Sequence, residues 1–138
     1  MKAYTDIEQS KKLAEILPLE SADMHWQDAS KEYENPYGIY DRHFRLVAGN
    51  SSKIINNKHD FRKGFILPAW SLAALLKVIP KKIKDFNVLR IDINEKDFSI
   101  WYDEIGSGVN TELPDITMEC PVDACYEMII RLNELKML

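Results

Sequence analysis

The sequence predicts an α+β fold in which three helices pack on a small, mainly antiparallel sheet of about four or five strands. Two patterns carry that expectation. Leu89, Ile91 and Ile93, then Phe98, Ile100 and Tyr102, alternate with polar residues on either side of a four-residue polar turn at 94–97, which is the period of a β-hairpin. Val122, Cys125, Met128, Ile129, Leu132 and Leu135 recur at helical spacing behind Pro121, which marks an amphipathic helix with proline in its first turn. At 138 residues the chain has the usual size of one domain, so residues 1–138 are expected to share a single core.

In chain order, the first helix is expected from Thr5 or Asp6 to Ile16. Thr5 with Glu8 and Asp6 with Gln9 both have capping-box spacing, and Pro18 disfavours helix at Leu17. Ile7, Leu13, Ala14 and Leu17 would face the core, and Glu8 with Lys12 would pair at i,i+4. Between residues 20 and 64 only two strand candidates stand out, 24–27 and 39–47, with a turn at 34–38 between them and a polar loop at 49–57 after them. Residues 68–80 follow, with proline at each end and apolar residues nearly all round, so they read as a central helix with a buried Trp70. The hairpin comes next, its apolar face buried and its other face carrying Trp101. A glycine-containing acidic loop, 103–119, leads to the last helix, where Asp123 suits the positive end of the dipole and Glu127 can pair with Arg131.

Composition narrows the class. With 46% apolar and 29% charged residues the chain can offset its ordering entropy and should fold as a soluble protein. The first residues run into polar ones without an apolar stretch, so no secretory signal is expected, and the longest apolar run, residues 65–79, is too short to span a bilayer. Cys120 and Cys125 are expected as free thiols in a reducing cytoplasm. Charge is uneven: residues 1–41, 42–90 and 91–138 carry −5, +9 and −8. Such segments either neutralise one another once folded or mark a nucleic-acid- or lipid-facing surface.

Three stretches carry a resemblance: residues 4–18, YTDIEQSKKLAEILP, with SADM at 21–24; residues 68–76, PAWSLAALL; and residues 121–128, PVDACYEM. Together they resemble a group of small uncharacterised proteins from gut Bacteroides-type bacteria and their phages or mobile elements. The resemblance implies a setting in a bacterial accessory genome. It brings no activity, cofactor or catalytic residue with it, and the span 25–64 lies outside it.

Chemistry-bearing constellations are sparse. His25, His43 and His59 lack the spacing of paired ligands on one helix face, so no metal and no cofactor is expected. Cys120, at a helix N-terminus, is the one candidate reactive thiol, set against a structural role as a cap. Asp23 and His25 could share a strand face as an acid–base pair, against the chance occurrence of such pairs. Asp103, Glu104, Glu112 and Asp115 lack calcium-loop spacing and read as solvated. Lys53, Lys58, Arg62, Lys63, Lys81, Lys82 and Lys84, with aromatics nearby, form the candidate nucleic-acid-binding set. These readings favour a non-catalytic interaction or regulatory protein whose partner is another protein. The alternatives are a nucleic-acid-binding module using residues 53–84 and an enzyme with an unrecognised site.

Overall fold

Thr5 and Asp6 both offer a capping oxygen, and Asp6 takes the role. Its Oδ1 accepts from the Gln9 backbone N–H at 2.8 Å, and Gln9 Oε1 accepts from the Asp6 N–H at 3.2 Å. This reciprocal box satisfies two donors that a helix start otherwise leaves open. Helix α1 runs Ile7–Ala14. In this computed structural model residues 2–28, 44–49 and 66–138 are described, and the chain divides into two compact units, Asp6–Ser71 and Met1–Thr5 with Leu72–Leu138.

In the first unit, α1 buries Leu13 and Ser10, while Ile7 and Ala14 are half-buried. Glu8 meets Lys11 at 3.6 Å, one residue short of the expected i,i+4 partner. A three-stranded antiparallel sheet has the order β2-β1-β3, with β1 at Met24–Asp28, β2 at Phe44–Ala48 and β3 at Ile66–Ala69. Strand β1 covers the expected 24–27 and one residue more, β2 overlaps the expected 39–47 and ends one residue past it, and residues 29–43, with the expected turn at 34–38, fall outside the described residues. All four β3 residues are buried, and α1 packs on them.

Strand β3 corrects the reading of residues 68–80 as one helix. Pro68 stands in a strand, opposite His25 of β1. The helix α2 is only Leu72–Val78. Among the described residues β3 pairs on one side alone, and an edge strand tolerates a residue without an N–H. Proline at a helix start and proline in an edge strand look alike locally, and only the pairing with β1, some forty residues upstream, decides. Trp70 is fully buried, as expected, and its Nε1 donates to Ser21 Oγ at 2.9 Å. Nor is α2 apolar contact on every side: Ala74 and Leu75 are buried, but Ala73 and Lys77 are exposed.

The second unit holds a five-stranded antiparallel sheet. Strands β4 (Lys82–Ile83), β5 (Asn87–Ile93), β6 (Phe98–Glu104) and β7 (Gly108–Val109) follow in order, and β8 (Ile116–Met118) also pairs with β6. The hairpin register sets Ile93 against Phe98, Ile91 against Ile100 and Leu89 against Tyr102. Asn94 closes the turn, its Oδ1 accepting from the Lys96 and Asp97 N–H groups at 2.9 and 2.8 Å. Helix α3 (Pro121–Glu134) starts after Cys120 and buries Val122, Ala124, Cys125, Met128, Ile129 and Leu132. Leu135, expected in that stripe, is the C-cap and stays exposed. Arg131 and Glu127 approach to 3.9 Å, and Lys2 Nζ reaches Asp123 Oδ1 at 2.6 Å in the first turn.

Two expectations change here. The apolar hairpin face is buried only on β6: Phe98, Ile100 and Tyr102 are at most 2% exposed, but Ile91 is 39% and Ile93 73% exposed. Helix α3 packs on β6 and β8, so apolar cover stops there. The acidic loop is not plain coil, since it contributes β7 and β8 and buries Leu113, Pro114 and Ile116. The α+β class holds, with its described strands in two antiparallel sheets rather than one. Among the described residues no helix is long and apolar enough to cross a membrane.

Candidate functional site

Of the candidate nucleic-acid set, Lys53, Lys58, Arg62 and Lys63 fall outside the described residues. The other three serve different ends. Lys81 Nζ donates to the carbonyls of Leu76 and Ile79, the latter at 3.1 Å, closing the C-terminal end of α2 where a cation suits the dipole. Lys82 is exposed on β4. Lys84 lines a cleft that also holds two glutamates.

The other sequence candidates are occupied structurally. Asp23 is exposed, and its carboxylate takes both the Ser71 N–H, at 2.9 Å, and the Ser71 hydroxyl. His25 is 1% exposed, so the two do not share one environment as an acid–base pair. Cys120 is half-buried and its Sγ points to the Lys2 carbonyl at 3.8 Å. Cys125 is fully buried, and burial pushes its thiol up to about 12, which leaves it protonated and unreactive at neutral pH. His43 and His59 lie outside the described residues, and among those described no three His, Cys, Asp or Glu side chains gather as a metal site.

A cleft of about 380 Å³ opens at one end of the five-stranded sheet. Two turns build it. Between β4 and β5, Lys84 and Asp85 both adopt left-handed backbone, with φ of 51° and 60°. That conformation costs a non-glycine residue about 1 kcal/mol or more, and it sets Phe86 64% exposed at the rim. After β6, Gly106 and Gly108 have φ of 87° and 82°, and the chain turns back through β7 to Asn110. The Ile105 N–H donates to the Phe86 carbonyl at 2.8 Å, tying the turns together.

Two amides hold the cleft's inner wall. Asn87 is only 5% exposed. Its Nδ2 donates to the Ile83 carbonyl at 3.1 Å, and its Oδ1 accepts from Asn110 Nδ2 at 2.8 Å. Asn110 Oδ1 in turn accepts the Glu112 N–H at 2.9 Å. A buried amide must be satisfied in this way, and the relay fixes the loop 110–112 against the strand start. Lys84, Glu104, Val109, Thr111 and Glu112 complete the lining. The three charged groups form no ion pair among the described residues. Phe86, Ile105 and Val109, at 64, 65 and 51% exposed, make this end apolar as well as charged.

The opposite face of the hairpin is different. Arg90 lies across from Trp101, and the Asp103 carboxylate accepts from Trp101 Nε1 at 2.8 Å and meets Arg90 Nε at 3.4 Å. That cluster satisfies itself. Sequence reading missed Phe86, Asn87 and Asn110, because the asparagines sit 23 residues apart and neither belongs to a motif. The available signal was Phe86 itself, an aromatic next to a charged turn and out of phase with the buried alternation. Comparison of the chain with protein-family models, curated proteins and solved structures finds no match to any of them. Fold and site define a small α+β protein with a polar, apolar-rimmed cleft at the end of its larger sheet.

Proposed function

We propose that the chain is a non-catalytic interaction or regulatory protein that binds another protein through this end of the sheet, in the cytoplasm of a bacterium and within its accessory genome. One observation carries the reading: Phe86, Ile105 and Val109 stand exposed together around a cleft whose charged side chains form no ion pair among the described residues. Exposed apolar groups beside exposed charges are what a partner surface offers. Binding suits the cleft better than catalysis does, since neither Glu104 nor Glu112 is buried and an acid or base is usually tuned by burial. The free thiols Cys120 and Cys125 support the cytoplasmic setting, and the resemblance of three sequence stretches supports the accessory-genome setting.

The test is affinity capture from native host extract with the tagged chain, a Phe86→Ser/Ile105→Ser variant and an Ile93→Ser variant. A stoichiometric protein retained by the chain and by Ile93→Ser, but lost from the double variant, is the expected result. Equal retention by all three sinks the reading.

A further inference from the structure

We infer that this cleft, if it is the protein-binding site proposed above, receives an arginine side chain presented on an extended segment of the partner. The lining combines the three things such a group needs. Phe86 offers an exposed ring, on which a planar guanidinium stacks, and Val109 extends the apolar surface for the aliphatic stem. Glu104 and Glu112 are carboxylates with no cation partner among the described residues, and a carboxylate takes a guanidinium through two parallel hydrogen bonds. Among the described residues Lys84 is the single cation in the lining, so the side chains there keep a net negative charge.

The amides add main-chain recognition. Each asparagine side chain carries two N–H donors, and Asn87 and Asn110 each commit one, to the Ile83 carbonyl and to Asn87 Oδ1. The spare donors suit carbonyl oxygens of an extended peptide. At longer range the charge agrees in sign: residues 72–138 carry 8 basic and 12 acidic side chains, a net negative field that favours a basic segment over an acidic one. Neutral or anionic segments forgo both the carboxylates and that field.

The experiment is a titration of the full ¹⁵N-labelled chain with a hexa-arginine peptide and with its neutral hexa-citrulline counterpart, followed by NMR. Hexa-arginine is expected to shift the backbone amides of Phe86, Val109 and Asn110 and the side-chain amides of Asn87 and Asn110. Citrulline keeps the shape without the charge and should bind at least about tenfold more weakly. Glu104→Gln/Glu112→Gln should weaken hexa-arginine to the same degree while the rest of the spectrum stays unchanged, which also shows that the variant folds. Equal binding of the two peptides at the cleft would overturn the arginine assignment and leave the protein-binding surface standing. Shifts spread over Asp92, Glu95 and Asp97 instead of the cleft would overturn it as diffuse charge attraction, whatever the capture experiment returns.

Discussion

The five-stranded sheet has two ends, and both show apolar side chains to water. At the hairpin end Ile93 is 73% exposed, and at the other end Phe86 is 64% exposed. Exposure alone therefore does not distinguish them. What differs is the backbone around each. The hairpin end is closed by a relaxed four-residue turn whose amides Asn94 satisfies. The cleft end rests on two consecutive left-handed non-glycine residues and a buried amide relay. Strain and buried polar groups are costly and persist where surrounding structure holds them. Two asparagines, Asn94 and Asn87, thus do opposite jobs: one terminates a turn in water, the other holds a cavity wall.

That contrast breaks most sharply at the asparagines. Asn87→Ala leaves the Ile83 carbonyl and the Asn110 amide without their partner in a buried site, at a cost of about 1–3 kcal/mol. Asn94→Ala exposes its two N–H groups to water and should cost no more than ~1 kcal/mol. Urea unfolding of both variants checks the ordering, and equal losses would mean that the relay is not what holds the cleft. Next in size is Lys84→Gly. Glycine takes φ of 51° without a Cβ penalty, so stability should rise by up to about 1 kcal/mol. A fall in stability would show that the turn at Lys84 is not strained.

Legibility in the sequence follows the same division. Elements specified by neighbours were readable: the Asp6 cap, the hairpin register around residues 94–97, and the α3 stripe from Val122 to Leu132 each rest on residues within a few positions of one another. Elements specified at a distance were not. Residues 66–69 become a strand because β1 pairs with them, and Ile91 and Ile93 stay exposed because α3 covers β6 and β8. The cleft belongs wholly to the second kind, since Asn87 and Asn110 meet only once β5, β6 and β7 have paired. Lys81 was singled out as a basic residue, yet its nearest partners, the carbonyls at the end of α2, decide its role.

The hairpin end also carries an exposed apolar strand edge, with two obstacles to pairing with a second copy built into it. The Leu89 N–H donates away from β6, to the Lys81 carbonyl at 2.9 Å. By alternation the main-chain groups of Ile91 and Ile93 also point away from β6, where β4 no longer reaches. A second copy can pair antiparallel on this edge in two main registers. A two-fold axis through Ile91 sets Arg90 against Asp92 of the second copy, but places the incoming Ile93 across from Leu89, where Lys81 already sits. A two-fold axis through Asp92 avoids Lys81 and bonds Ile91 to Ile93, but sets the two Asp92 carboxylates face to face, which is unfavourable. One register is blocked by shape and the other by charge, the usual protection of an edge strand. Asp92→Val removes the charge and keeps a strand-forming side chain. It should make the chain self-associate more strongly with concentration than the unaltered chain does in sedimentation velocity, whereas Phe86→Ser at the other end should leave the association state unchanged. If Asp92→Val sediments as the unaltered chain does at every concentration, the carboxylate is not the guard of this edge.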